Sequence, residues 1–243
     1  MVLSLRQKLT IILLLLYWVG IFVLAHIPIP ELVYKARVSD KSIHVLAYLI
    51  LVFLLWFSVS VDKKVILRKA TVWWVFLAIV LYGGVDELLQ GHTGRSCDVG
   101  DFFADVAGAV WGLILFAFLT FWPALLAVTG ISIFFLTNLA KADIAELVPV
   151  ANALFHVIGY GILALVWMRN MALWLSLKAP GVKWLVTALV LPIVFLLAVK
   201  VFSLLLGKAV LVGDLILAVI GVAGAVVGVF AAELFKKRRP AIG

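Results

Sequence analysis

Side chains that can bind ions or transfer protons recur at short intervals in the first half of this sequence. They are Asp40, His44, Tyr48, Asp86, Glu87, Gln90, Arg95, Asp101 and Asp105. A histidine beside carboxylates can accept and return a proton, and an arginine can hold a phosphate or a carboxylate through paired hydrogen bonds. These residue types are therefore suited either to binding a polar ligand or to acid–base catalysis.

Helical spacing places several of these side chains on shared faces. Asp40, His44 and Tyr48 lie at i, i+4 and i+8, so we expect them on one face of one helix. Asp86 and Gln90 lie one turn apart near the end of another predicted helix. Polar residues at this spacing predict a site built between helix ends.

Small residues follow the last two acids of the set. Gly108 and Gly112 continue the stripe that begins with Asp101 and Asp105, and glycines let a neighbouring helix approach closely. A structural role is therefore expected for both glycines, and a crevice between helices is expected for the two acids. Asp101 is also expected to cap the start of its helix, where negative charge is favoured.

The composition requires that much of this chain lie in a membrane. Of its 243 residues, 66% are hydrophobic and 13% are charged. A soluble domain is roughly half apolar and about a quarter charged. Because a span needs about 20 apolar residues, the sequence predicts an all-α, polytopic bundle of eight helices. These are expected near residues 9–27, 43–61, 71–89, 102–121, 124–140, 153–168, 184–205 and 214–235. Trp122-Pro123 is the expected break between the fourth and fifth spans, because proline disrupts a helix interior.

The basic residues predict the orientation. Lysine and arginine are concentrated near the N-terminus, between alternate spans and in the tail Lys236–Arg239. By the positive-inside rule, both termini are expected in the cytoplasm. Most of the acids then fall at outward helix ends. The first apolar run is expected to remain as a span, because it is long for a signal peptide. The net charge of +8 is explained by these clusters, so no nucleic-acid partner is expected. The one cysteine, Cys97, excludes an intrachain disulfide.

The sequence also contains an internal repeat. Gly94-Arg95 through Gly100-Asp101 matches Gly207-Lys208 through Gly213-Asp214, while His44 and Tyr48 match His156 and Tyr160 at nearly the same offset. Two halves, residues 1–121 and 122–243, are predicted, with four spans each. Because four spans preserve orientation, the halves are expected to be related by an axis along the membrane normal.

The second half has lost most of the acids. Asn152 replaces Asp40, Val199 replaces Asp86, Lys200 replaces Glu87, Ser203 replaces Gln90 and Ala218 replaces Asp105. We therefore expect the first half to carry the activity and the second to be a degenerate partner. Lys200, in the middle of a span, is expected to neutralise an acid.

These residues resemble the VanZ-like family of bacterial membrane proteins. The resemblance is carried by Asp40-Lys41, His44, Tyr48, Asp86-Glu87, Gln90, Gly94-Arg95, Asp101, Gly108 and Gly112. It covers the first half, and the chain departs from the pattern where it has Asp105 in place of asparagine and lacks a proline near Thr93. The family is named for a member linked to tolerance of the glycopeptide teicoplanin. The resemblance therefore implies a cell-envelope role in the bacterial cytoplasmic membrane, without a settled reaction.

Three functions are consistent with these patterns. The first is an outward-facing polar site that binds an envelope lipid or another lipid-linked or cell-wall-related ligand. The second is a membrane-embedded enzyme acting on a phosphate- or acyl-bearing lipid, with His44 as base, Glu87 as acid and Arg95 as anion clamp. The third is a transporter, although its sites usually lie at the midplane. No cofactor is expected. A metal held by His44, Asp86 and Glu87 is conceivable but lacks a tight ligand motif, so no metal is expected either.

Overall fold

The computed structural model describes residues 3–26, 40–60, 62–92, 97–139, 148–177, 179 and 181–238. Over these residues the chain is all-helical, without a strand, and forms eight helices. They are α1 (Leu5–His26), α2 (Asp40–Val59), α3 (Ala70–Gln90), α4 (Val99–Phe118), α5 (Phe121–Leu139), α6 (Pro149–Trp174), α7 (Val182–Leu205) and α8 (Val212–Arg238). The all-α class and the number of spans predicted from the sequence are confirmed.

Each of the eight helices is long and apolar enough to cross a membrane, which indicates a membrane protein. Large apolar side chains such as Leu16, Trp111 and Leu205 remain exposed on the helix surfaces. In a soluble protein such surfaces would cause aggregation, whereas lipid accommodates them. The polar side chains discussed below must therefore find their partners between helices.

The break between the fourth and fifth spans lies earlier than predicted. Leu119 ends α4 as its C-cap, and α5 begins at Phe121. Pro123 therefore lies in the first turn of α5, where a missing N–H costs no intrahelical hydrogen bond. The N–H of Phe121 instead donates to Asp62 Oδ1 at 3.3 Å. The expectation that Trp122-Pro123 interrupts the helices was wrong for this reason.

The chain divides into two compact units. The first contains α1–α4 and the start of α5 through Val128, and the second contains Thr129–Asn138 of α5 together with α6–α8. The sequence repeat predicts a boundary between residues 121 and 122, and this boundary stays a prediction. In the first unit, α2 packs most extensively on α4 and also on α1 and α3.

The two ends of the first unit differ in their buried side chains. Phe53, Phe57, Phe116 and Phe121 form an aromatic cluster with ring centroids 5.1–5.7 Å apart. This cluster lies toward the C-terminal ends of α2 and α4. The opposite end, where α1 and α3 end and α2 and α4 begin, contains the buried carboxylates and His44, and we call it the polar end. The side chains that could carry out chemistry therefore lie at the polar end of the first unit.

Equivalent glycines mark the closest helix contacts in both units. A Cβ on Gly108 of α4 would overlap the carbonyl oxygen of Val45 in α2, and a Cβ on Gly221 of α8 would overlap that of Val157 in α6. A Cβ on Gly112 would overlap the side-chain atom Cγ1 of Val52. The expected structural role of Gly108 and Gly112 thus has a steric cause. The two units also place matching residues of the sequence repeat in matching contacts.

Candidate functional site

Four carboxylates are buried at the polar end of the first unit. Asp86 and Glu87 in the last turn of α3 are each 3% exposed, while Asp101 and Asp105 in α4 are 6% and 1% exposed. An ionised carboxylate facing lipid at a helix centre costs roughly 2.5–3.5 kcal/mol. Turning these groups toward the interior of the unit avoids that cost and gathers them around His44.

His44 lies among the carboxylates that α2 and α4 provide. Its Nδ1 is 2.8 Å from Asp105 Oδ1, and a carboxylate oxygen can only accept, so Nδ1 donates. The other ring nitrogen, Nε2, lies 3.9 Å from both Asp40 Oδ1 and Asp101 Oδ2. Asp105 thereby fixes the orientation of the imidazole and leaves Nε2 facing the two other acids.

Asp86 belongs to a neighbouring group formed by α1 and α3. Gln90 Nε2 donates to Asp86 Oδ2 at 2.9 Å, as expected for side chains one helical turn apart. His26, the last residue of α1, brings its Nδ1 to 3.8 Å from Asp86 Oδ1. Tyr82 lies one turn before Asp86 and packs edge-on against Trp18 of α1. This group connects the first helix to the site.

Glu87 fixes the connection between α3 and α4. Its Oε2 accepts a hydrogen bond from the backbone N–H of Asp98 at 3.1 Å. Asp98 is the N-cap of α4 and accepts from the N–H of Gly100 at 2.7 Å. The expectation that Asp101 caps α4 was therefore wrong, because α4 begins earlier than predicted, whereas its expected place at the helix N-terminus is confirmed. Asp101 instead lies in the first turn with its side chain turned inward.

The electrostatics at the start of α4 favour the charged form of Asp98. The hydrogen bond from Gly100 and the ammonium of Lys41, 3.2 Å from Asp98 Oδ2, lower the pKa of the Asp98 carboxyl. Lys41 Nζ also lies 3.8 Å from Asp101 Oδ1. Lys41 thus links the start of α2 to the start of α4 at the exposed rim of the site.

Tyr48 forms the inner wall of the site. Its hydroxyl and Asp105 Oδ2 lie 3.3 and 3.2 Å from the point that a Cβ on Gly83 would occupy. A larger residue in place of Gly83 would press on both groups. Asp40, His44 and Tyr48 do lie along one face of α2, with Asp40 exposed and the other two buried.

Several buried oxygen atoms lack a hydrogen-bond partner among the described residues. They include Asp86 Oδ1, Glu87 Oε1 and Asp105 Oδ2. His44, Glu87 and Asp105 offer ligand atoms that all lie within 4.8 Å of one another, and so do Asp40, His44 and Asp101. Buried acceptors of this kind call for a donor or a cation. The site can therefore hold hydroxyl or amine groups, or a metal ion.

Of the predicted site residues, all but one are brought to this end of the unit. Arg95 lies outside the described residues. Sequence reasoning assigned no site role to His26 or Asp98. Asp98 could have been recognised as an N-cap from its place before an apolar helical run. A single histidine at the end of an apolar segment, such as His26, carries no comparable signal.

Comparison of the chain with family models, with curated proteins and with solved structures found no match. The resemblance to the VanZ-like family therefore stays a prediction carried by the residues of the first half. The geometry of the site is the basis for the functions considered next.

Proposed function

We propose that this chain is a VanZ-like integral membrane protein whose first unit binds the polar headgroup of an envelope lipid or of a lipid-linked, cell-wall-related ligand. Buried carboxylate oxygens without a hydrogen-bond partner among the described residues support this proposal most directly. Asp86, Glu87 and Asp105 each present an oxygen without a partner among the described residues. Sugar hydroxyls and amines are the donors that such oxygens recognise.

The proposed setting is the bacterial cytoplasmic membrane, with both termini in the cytoplasm and the site facing outward. The distribution of lysine and arginine supports this orientation. Lipid-facing apolar surfaces next to the polar end would hold the acyl or prenyl part of the ligand while the headgroup enters the site. Binding of a cell-wall-related ligand would then alter tolerance of glycopeptides such as teicoplanin.

Glu87→Gln tests the binding function, because it keeps the side-chain shape and removes the charge. The matched control is Glu233→Gln, the same substitution at a partly exposed residue paired with Lys236 in the last helix. We expect wild type and Glu233→Gln to co-purify a lipid, seen by native mass spectrometry, and to raise teicoplanin tolerance in a bacterial host. Glu87→Gln should lose both at equal protein level in the membrane.

Two results would overturn this proposal. One is wild-type protein that carries no lipid and gives no tolerance. The other is a Glu87→Gln variant that behaves as wild type in both assays. If Glu87→Gln lost only the lipid or only the tolerance, lipid binding would not be the cause of the tolerance.

A membrane-embedded enzyme is the second candidate, and the contact between His44 and Asp105 favours it. A buried histidine held through Nδ1 by a carboxylate can act as a general base through Nε2. Glu87, within reach of the same region, would then donate the proton to the leaving group. Incubation of the purified protein with a phosphate- or acyl-bearing lipid, followed by product analysis, distinguishes catalysis from binding. Product formed by wild type and not by His44→Ala would establish the enzyme.

A further inference from the structure

The second unit contains a buried lysine bound by a histidine and an aspartate. Lys200 Nζ in α7 lies 3.1 Å from Asp214 Oδ2 in α8 and 3.4 Å from His156 Nε2 in α6. Lys200 is 6% exposed. Asn152 donates to the other oxygen of Asp214 at 2.7 Å. A positive charge, the Lys200 ammonium, is thus held where three helices meet.

The tautomer of His156 explains why it faces a cation. Its Nδ1 lies 2.9 Å from the backbone carbonyl of Asn152, which can only accept, so Nδ1 carries the proton. Nε2 is then a lone-pair donor and receives the hydrogen bond from Lys200. In the first unit, Nδ1 of His44 contacts the side chain of Asp105, and Nε2 faces the carboxylates of Asp40 and Asp101.

The sequence repeat matches the histidine and one aspartate of these two groups. His44 and Asp101 correspond to His156 and Asp214, and the distances from Nε2 to the carboxylate Oδ2 are 3.9 and 3.6 Å. Glu87 stands where the second unit has Lys200. The first unit thus keeps the histidine and aspartate that hold a cation but has an acid in place of the cation.

Because Glu87 stands in place of a lysine, its negative charge needs a positive charge nearby. Glu87 Oε1 and Asp105 Oδ2 are buried and lack a partner among the described residues. The ammonium of Lys41 is more than half exposed and lies 3.2 Å from Asp98 Oδ2 at the rim. A buried group of carboxylates with so little compensation is costly unless another cation joins it.

We propose that the first unit binds a divalent transition-metal ion through His44 Nε2, Asp101 and Glu87. Asp105 positions the imidazole through Nδ1, as carboxylates commonly do for metal-bound histidines. In the second unit, the ammonium of Lys200 occupies the position that corresponds to this ion. The inference goes beyond headgroup binding, and it is measurable on the protein without any lipid.

Two observed groupings bring the ligand atoms near the spacing of a bound ion. Ligand atoms around a tetrahedral ion with bonds of about 2.1 Å lie roughly 3.4 Å apart. His44 Nε2 and Asp101 Oδ2 are 3.9 Å apart. One ligand atom from each of His44, Glu87 and Asp105 also lies within 4.8 Å of the other two. One imidazole with two carboxylates suits Zn²⁺ or Mn²⁺ better than Ca²⁺, which prefers oxygen ligands alone. A fourth coordination position would remain for water or for a headgroup oxygen.

Metal counting on the full chain tests the site, and Glu87→Lys is the most informative variant. The protein is purified in detergent without a histidine tag, stripped with a chelator and dialysed against Zn²⁺ or Mn²⁺ alone. We expect wild type to retain one ion per chain by elemental mass spectrometry, and to melt at a higher temperature with the ion. Glu87→Lys should lose the ion, because it puts in place of a carboxylate ligand the ammonium that Lys200 provides beside His156 and Asp214.

Two further variants keep the test decisive. His44→Ala removes the imidazole ligand and should lose the ion, whereas His92→Ala removes an exposed histidine after α3 and should keep it. If Glu87→Lys fails to fold, the near-isosteric Glu87→Gln replaces it and should also lose the ion. Wild type that binds no ion, or an ion that survives His44→Ala, would overturn the proposal. Lipid binding without the ion would leave the proposed function standing, and an ion without lipid would leave only the metal site.

Discussion

The imidazole of His44 is held by Asp105, with Nδ1 and Oδ1 2.8 Å apart between α2 and α4. Asp105 is 1% exposed, so the contact is shielded from solvent. This relationship decides which ring nitrogen of His44 faces the remaining carboxylates. It also gives Asp105 a structural role, because this side chain holds the imidazole between α2 and α4.

Substitution of Asp105 should weaken Zn²⁺ binding according to how well the new side chain orients His44. Loss of a group that orients a metal ligand typically costs about 10–100-fold in affinity. We expect Asp105→Asn to lie near the lower figure and Asp105→Ala near the upper one in calorimetric titrations. Asp62→Asn, at the opposite end of the first unit, is the control and should bind as wild type. Unchanged affinity in Asp105→Ala would show that Asp105 does not position His44.

Gly221→Ala should destabilise the protein, because its Cβ would overlap the carbonyl of Val157. Overpacking of this kind typically costs about 1–3 kcal/mol. Gly224→Ala in the same helix meets nothing within 4 Å and should be neutral or stabilising by up to about 1 kcal/mol. Unfolding in mixed detergent micelles measures both. Equal stability of the two variants would refute the close contact between α6 and α8, and Gly108→Ala extends the test to the first unit.

Asp98 should make the start of α4 sensitive to acid. Its pKa is lowered in the folded chain by the N–H of Gly100 and by Lys41, so its contribution is fully present above the unfolded pKa of about 3.9. That contribution is lost as the pH falls through the lower, folded value. Asp98→Asn keeps an acceptor for the cap but removes the charge. The difference in melting temperature between wild type and Asp98→Asn should therefore shrink from pH 5 downward. A difference independent of pH would contradict the ionic contribution.

Cys97 should report the orientation of the site. It is the single cysteine of the chain, and its side chain is exposed just before α4. A membrane-impermeant maleimide should label it in intact spheroplasts if the polar end faces outward. The control carries Cys97→Ser together with Ser4→Cys, which moves the thiol to an exposed position near the N-terminus. That variant should label only after the membrane is opened. The reverse pattern would invert the proposed topology.

The helices were predictable because apolar runs of membrane length leave little choice of structure. Their ends were less so, since caps depend on single residues: Asp98 caps α4 in place of Asp101, and Pro123 is accommodated in the first turn of α5. The pairing of Asp86 with Gln90 followed from helical spacing alone.

Contacts between helices were not predictable at the level of atoms. Which oxygen of Asp105 meets which nitrogen of His44 depends on helix rotation, and that is set by the close approach at Gly108. The sequence did indicate that Lys200 neutralises an acid. That the acid is Asp214, and that His156 shares the same ammonium, required the arrangement of three helices.

One substitution can reverse the difference between Glu87 in the first unit and Lys200 in the second. Lys200→Glu places in the second unit the acid that Glu87 provides in the first, next to His156 and Asp214. Because His156 Nε2 already faces that position with a lone pair, the variant should gain a site for Zn²⁺. Elemental analysis after dialysis against Zn²⁺ should then find two ions per chain in place of one, and the ion should raise the melting temperature further.

Lys200→Met is the matched control, because it removes the ammonium without adding a ligand. It leaves Asp214, whose side chain is 14% exposed, without its cation. Breaking a buried ion pair in this way typically costs about 3–5 kcal/mol, so Lys200→Met should be less stable than wild type and gain no ion. If Lys200→Glu binds no more Zn²⁺ than Lys200→Met, the ammonium of Lys200 is not the counterpart of a metal ion. The correspondence between the two sites would then be one of sequence alone.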